Sequence, residues 1–480
     1  MPQQNRIVRG SLSIFLAQAS IVPTGILTVI FLTDRLGAMA YGAYTLVATT
    51  ILWLEWSIMA LFGKTVIKFI SEADDWRPAG TTALRLYLSI STVAAVGLWI
   101  LSPLVAQGLD EPALTAYLRL FALDIPVFCT AQAHQQILLG IGKFSQQALI
   151  ATSRWVIRLL LIVGFIQTGW SVNGAILGCL GTSWVELFLC RCYVRPSLRG
   201  QMVFPPGVWR YVLPLVAQAL LMRGYQQMDL YLLKVLGGDL AQAGIYGATR
   251  NLSLIVLMAG TSVSAVLLSD LNRIVTSGDA DLARTTVRNS MRFSVCLLPV
   301  VGLATGAADE IPGVLFSAEF AAMSALLGPI MLGTVALVVV LVSGSILVAS
   351  QRPTWTLWLI VPMMITAALS HLFLVPHHQA LGAACSIALS SVLGALLACG
   401  LVYQIWRVYP PLSTLLRSLI VSGVAFGIAA AWPASGLWVL IKLMLATAMS
   451  LGTFILLGEI SDRELAAIAP SLLPGFSKKN

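Results

Sequence analysis

The sequence predicts an all-α, polytopic membrane protein, a bundle of about fourteen transmembrane helices. Three observations predict it. Of the 480 residues, 58% are apolar and only 10% are charged, where a soluble domain carries roughly a quarter charged residues. Runs of about 20 apolar residues recur, each long enough to cross roughly 30 Å of hydrocarbon as a helix. Lys and Arg gather in alternate loops. The runs are too continuous for the alternating strands of a barrel. Helices are then what can satisfy the backbone in lipid.

The apolar runs place spans at residues 11–32, 41–63, 84–106, 115–138, 146–167, 172–193, 209–233, 244–268, 292–308, 325–349, 354–375, 380–404, 412–432 and 436–458. The last two are divided only by the short Pro433–Gly436 turn. The first run has no small-residue cleavage site after a short core, so it reads as a span and not as a signal peptide.

Orientation follows from the basic residues. With Arg6 and Arg9 inside, the loops due on the same side carry Lys64, Lys68, Arg77, Arg85, Lys143, Arg191, Arg195, Arg199 and Arg210. They continue with Arg273, Arg284, Arg288, Arg292, Arg352, Arg407 and Arg417, then Arg463, Lys478 and Lys479 in the tail. The other side holds Arg35, Arg119 and Lys234, with Asp110, Glu111, Asp309 and Glu310. That bias predicts a multi-pass protein of the cell inner membrane with both termini cytoplasmic. The net charge of +9 is therefore loop charge facing anionic lipid headgroups, not a nucleic-acid signal.

Seven cysteines give no disulfide framework. Five lie inside spans, where Cys acts as a small hydrophobe; Cys190 and Cys192 lie at a cytoplasmic helix end. His134 and His371 stand singly in their spans, and His377-His378 falls in an outer loop. No metal site is expected.

The chain also repeats itself. Leu36-Gly37 with Tyr41-Gly42-Ala43-Tyr44 is echoed by Leu236-Gly237 with Tyr246-Gly247-Ala248. Ile137–Phe144 is echoed by Ile346–Pro353, and Gly174-Ala175 by Gly382-Ala383. The echoes lie about 200–209 residues apart and keep their order. A six-span repeat has an even number of crossings, so both halves run the same way through the membrane. The expected architecture is two six-helix lobes, residues 1–200 and 201–408, related by a pseudo-twofold along the membrane normal. A central cavity lies between them, and residues 409–480 add two helices and a tail. Gly174-x-x-x-Gly178 and Gly423-x-x-x-Gly427 allow close helix approach. Pro23, Pro126, Pro214, Pro299, Pro329 and Pro362 permit kinks inside spans.

These motifs carry a resemblance. Arg35-Leu36-Gly37 with Tyr41-Gly42-Ala43-Tyr44, Ile137-Leu138-x-Gly140-x-Gly142-Lys143-Phe144 and Tyr211-x-x-Pro214 occur in one order. Asp229 ahead of Gly244-x-Tyr246-x-x-Ala248 and the Ser461-Asp462-Arg463-Glu464 tail complete it. Together they resemble the multidrug/oligosaccharidyl-lipid/polysaccharide exporter superfamily, and within it the O-antigen type polysaccharide-biosynthesis flippases. The second Gly-Lys-Phe turn has become Gln351-Arg352-Pro353, so the second half matches less well. The resemblance implies a polyprenyl-pyrophosphate-linked oligosaccharide as substrate, carried from the cytoplasmic to the periplasmic leaflet. A polysaccharide polymerase is the candidate protein partner.

Charges within spans need a reason, because each costs about 2.5–3.5 kcal/mol near the bilayer centre. The bases are Arg154, Arg158, Arg223, Arg250 and Lys442; the acids are Glu55, Asp124, Glu186 and Asp229. Arginine suits a passing pyrophosphate, since its fork meets phosphate oxygens bidentately and keeps its charge. Arg154, Arg158, Arg223 and Arg250 are therefore the candidate substrate-binding residues. Asp124, Asp229 and Glu55 are the candidate coupling sites for a proton or cation. The competing reading is internal ion pairing, Arg154 with Asp124 or Glu186 for example, with Arg250 and Lys442 snorkelling.

Gly63-Lys64-Thr65 imitates the end of a phosphate loop, but the partner glycine position is Ile58 and no strand precedes it. No cofactor or nucleotide is expected; an ion gradient, the membrane potential or the substrate gradient would drive transport. A cation-coupled multidrug exporter of the same superfamily is the alternative. An enzyme is disfavoured, because the outer loops near 107–114 and 309–324 are short.

Overall fold

A computed structural model of the chain describes residues 2–73, 75–197, 208–436 and 438–459. Arg199 and the Ser461–Glu464 tail motif lie outside the described residues, as do Lys478 and Lys479. Fifteen α-helices follow one another among the described residues. They are α1 (Pro2–Glu72), α2 (Trp76–Gly108), α3 (Leu114–Ala122), α4 (Asp124–Gly140), α5 (Phe144–Gln167), α6 (Ser171–Tyr193), α7 (Val208–Val235) and α8 (Leu240–Ser277). There follow α9 (Ala280–Val295), α10 (Leu298–Gly306), α11 (Glu310–Leu315), α12 (Met323–Ala349), α13 (Leu357–Trp406), α14 (Leu412–Ala431) and α15 (Trp438–Leu456). Ten stretches of these are long and apolar enough to cross a membrane.

The helix ends track the sequence where a local signal exists. Predicted spans one and two both lie on α1, which breaks at Gly37 with φ 72°, a backbone region that glycine enters without strain. The Pro433–Gly436 turn does separate α14 from α15, with Gly436 at φ 59°. Predicted spans eleven and twelve share α13, which breaks at Gln379 with φ 49°. His377 and His378 are therefore helical, not in a loop. Span four is divided into α3 and α4 just before Pro126, and span nine into α9 and α10 just before Pro299. Proline has no N–H and its ring crowds the preceding turn, so the interruption falls ahead of it. Gly63-Lys64-Thr65 is continuous helix, which no phosphate loop is.

The chain divides into two compact units. The first comprises Met1–Leu252 and Ala367–Ala383. Its helices meet through small residues. A Cβ at Gly42 would strike the Leu240 carbonyl, and one at Gly244 the Ala38 carbonyl. A Cβ on Gly247 would lie 2.6 Å from Thr45 Cγ2. The two echoed Tyr-Gly-Ala segments thus lie against each other, backbone to backbone. Tyr41 and Tyr246 are buried beside them. Gly178 packs on α5, where a Cβ would sit 2.8 Å from Ile162 Cα.

The second unit comprises Ser253–Thr366 and Ala384–Asn480. Here the expectation for Gly423-x-x-x-Gly427 fails, since a Cβ on either would meet nothing within 4 Å. The close approach to α14 is made from the other side, by Gly302 and Gly306 of α10. A Cβ at Gly302 would strike the Ser422 carbonyl, and one at Gly306 would lie 2.6 Å from that of Phe426. Ion pairs hold both ends of the α14–α15 hairpin. Lys442 Nζ donates to Glu310 at 2.5 Å, whose other oxygen accepts the Ala434 N–H at 3.0 Å. At the opposite end Glu459 accepts from Arg292 (2.5 Å), Arg417 (2.8 Å) and Thr414 (2.6 Å). Burial alone would raise the Glu459 carboxyl. The hydrogen bonds from Thr414, Arg417 and Arg292, with the charge of Arg292, outweigh it and hold it below the usual carboxylate range.

Candidate functional site

The candidate residues form two clusters, both in the first unit. In the first, α5 places Arg154 and Arg158 one turn apart, on one face. Arg154 pairs with Glu186, whose side chain is fully buried. Glu186 also accepts from Gln132 at 3.0 Å and from Gln135. Gln135 in turn accepts from Gln147 at 2.9 Å. The Arg154 guanidinium lies over the Phe128 ring at 4.6 Å. Of the two pairings open to Arg154 in the sequence, Glu186 is the one formed.

Arg158 has different company. It donates to Tyr44 Oη at 3.2 Å and lies over the Trp155 ring at 5.6 Å. Tyr44 Oη also meets Cys179 Sγ at 3.4 Å, so this cysteine is a polar neighbour as well as a small hydrophobe. Among the described residues, Arg158 has no carboxylate partner. Glu55 and Asp124 are buried close by, each with one carboxylate oxygen that no group hydrogen-bonds among the described residues. Glu55 is within electrostatic reach of Asp124, Arg154, Arg158 and Glu186.

The second cluster lies on α7, α8 and α1. Asp229 is buried and accepts from the Leu230 N–H (2.9 Å), Tyr246 Oη (2.7 Å) and Arg250 (3.2 Å). Arg250 also donates to the Gln226 carbonyl and, at 3.0 Å, to Gln227. It does not snorkel; its fork is spent within the protein. Arg223 lies over the Trp56 ring at 4.9 Å and reaches Gln226 at 3.4 Å. It too has no carboxylate partner among the described residues. Lys442 is likewise no snorkel, being wholly buried against Glu310.

The four candidate arginines thus divide. Arg154 and Arg250 neutralise acids, whereas Arg158 and Arg223 hydrogen-bond only neutral groups among the described residues and lie over aromatic rings; Glu55 and Asp124 are within electrostatic reach of Arg158 without pairing to it. Net charge is what an unpaired guanidinium offers an anion. Sequence reasoning missed the amides of Gln132, Gln135, Gln226 and Gln227, the Tyr44 hydroxyl and the Trp56 platform. Uncharged polar residues inside apolar runs were the available signal, because a buried amide in lipid also needs a partner.

The helices define a class, a multi-pass helical membrane protein. The chain belongs to the polysaccharide biosynthesis protein family, whose family model matches residues 35–325. Solved structures share the fold. A lipid II flippase in an inward closed conformation is 14% identical with a TM-score of 0.75, covering 96% of this chain and 100% of its own. An inward-facing multidrug resistance transporter is 11% identical with a TM-score of 0.64, covering 85% and 95%. A superfamily transporter from Pyrococcus furiosus, described as having a binding pocket of reverse polarity, is 14% identical with a TM-score of 0.57, covering 88% and 96%. No curated protein matches the chain in sequence.

Proposed function

We propose that the chain flips a polyprenyl-pyrophosphate-linked oligosaccharide across the cell inner membrane for polysaccharide assembly. It works by alternating access through a cationic cavity, with both termini in the cytoplasm. The observation that carries this reading is the pair of membrane-embedded arginines, Arg158 and Arg223, with no carboxylate partner among the described residues. A drug exporter that holds cations would place acids there instead. Membership of the polysaccharide biosynthesis family supports the substrate class. Arg154 and Arg250 shape the site by fixing Glu186 and Asp229. The buried carboxyls of Glu55 and Asp124, each with an oxygen no group hydrogen-bonds among the described residues, are the coupling acids for a proton or cation.

The test is complementation of a strain lacking the native gene, scored by surface polysaccharide and by membrane abundance. Arg158→Glu or Arg223→Glu should abolish export while the protein still inserts. Lys at either position should keep part of the activity, since charge survives and the fork does not. Full export by both Glu variants would sink the reading. Those same two buried acids favour the second reading, a cation-coupled multidrug exporter. Raised drug susceptibility in the deletion strain with normal polysaccharide would select it.

A further inference from the structure

Trp53 and Trp56 lie three apart on α1, so they share a face, and they stay 36% and 45% exposed. What distinguishes Trp56 is the guanidinium of Arg223, 4.9 Å from its ring centre. At 1.5 Å per residue, Arg223 is about 22 Å from the start of α7 and about 18 Å from its end, in the middle of the span that the sequence places at 209–233. Gln226 and Gln227 follow within about a turn on α7, Arg250 of α8 donates to both, and all three are part-exposed. A charge at that depth cannot cheaply face hydrocarbon. This face therefore borders water, and the open part of the Trp56 indole borders it too. Trp358, 71% exposed, has no cation over its ring among the described residues and needs no explanation beyond lipid.

An indole is flat, apolar and electron-rich on its face. The C–H face of a pyranose ring is flat, apolar and weakly positive, and packs against it. A guanidinium beside such a platform addresses a phosphate. We propose that Arg223 and Trp56 form a sugar-phosphate subsite. Arg223 takes an oxygen of the pyrophosphate, and the exposed part of the Trp56 indole carries the first pyranose bonded to it. This rests on the lipid-pyrophosphate reading above and adds to it where the sugar nearest the pyrophosphate binds.

The test is binding by calorimetry to the purified full-length protein. The probes are geranyl pyrophosphate, geranyl-pyrophosphoryl-glucose and geranyl-pyrophosphoryl-N-acetylglucosamine. The unsubstituted protein should bind at least one sugar-bearing probe about threefold to tenfold more tightly than the bare pyrophosphate, the range an aromatic contact supplies. Trp56→Leu should erase that gain, so that sugar-bearing and bare probes bind alike; Trp56→Phe should keep part of it. Arg223→Gln should weaken all three probes. No gain for either sugar, or a gain that survives Trp56→Leu in monodisperse protein, overturns the subsite alone. Geranyl pyrophosphate that fails to bind at all would overturn the lipid-pyrophosphate reading and the subsite with it.

Discussion

Replacing Arg154 by Gln should damage the protein, whereas the same change at Arg223 should damage transport only. Glu186 has no exposed side-chain surface and takes three donors, from Arg154, Gln132 and Gln135. Removing one partner of a buried pair costs about 3–5 kcal/mol, because the remaining charge cannot reach water. The two glutamine amides stay in place to solvate Glu186, which puts Arg154→Gln near the lower end, about 3 kcal/mol. That is roughly a hundredfold in the folded equilibrium. Arg223→Gln breaks a hydrogen bond of 3.4 Å and a cation–π contact to a part-exposed ring, worth about 0.5–1 kcal/mol. The assay is fluorescence-detected size exclusion of detergent extracts after a temperature series, beside membrane abundance. Arg154→Gln should lower the midpoint and the abundance, and adding Glu186→Gln should restore most of both. A single variant as stable as the unsubstituted protein, or a double variant worse than the single, would refute the argument.

The remaining predictions are briefer. Gly244→Ala places a methyl on the Ala38 carbonyl and should cost about 1–3 kcal/mol by overpacking, while Gly427→Ala, in open space, should leave the midpoint unchanged. Because the Glu459 carboxyl titrates below the usual range in the folded protein, its contribution is fully present above about pH 4.3 and fades as pH falls through the folded value. A thermal melt series from pH 7 to pH 3 should therefore drop less at the acid end in Glu459→Gln; an identical drop would remove Glu459 from the account. Reporter tags at residue 200 and at the C-terminus should read as cytoplasmic and a tag near residue 109 as periplasmic. A periplasmic signal at residue 200 would overturn the span count in the first half.

The apolar runs made the helices legible, because lipid leaves the backbone little choice. The break at Gly37 was announced by its residue type, as was the turn at Gly436. The break at Gln379 was not, since nothing local marks a glutamine for positive φ. At the site, formal charge found the arginines and acids but not their pairing. Arg250 and Asp229 lie on neighbouring helices 21 positions apart, and that meeting depends on how α7 packs on α8. Glu310 read as part of the charge bias between loops; its tie to Lys442 spans 132 positions and leaves no trace in the local pattern. Trp56 passed as one more apolar residue, because an aromatic ring becomes a platform only when a cation is set over it.

The α14–α15 hairpin has a consequence for any shortened form of the gene. A chain ending after Trp406 would keep α10 but lose what covers it. The glycine face that now fits against the Ser422 and Phe426 carbonyls would meet acyl chains, which cannot follow so close a contour. Glu310 on α11 and Arg292 on α9 would each lose a charge partner. The shortened chain would then not be a simpler edition of this protein but a damaged one. A stop codon after residue 408 should yield a product that membrane proteases clear, unless compensating bulk is first introduced at Gly302 and Gly306.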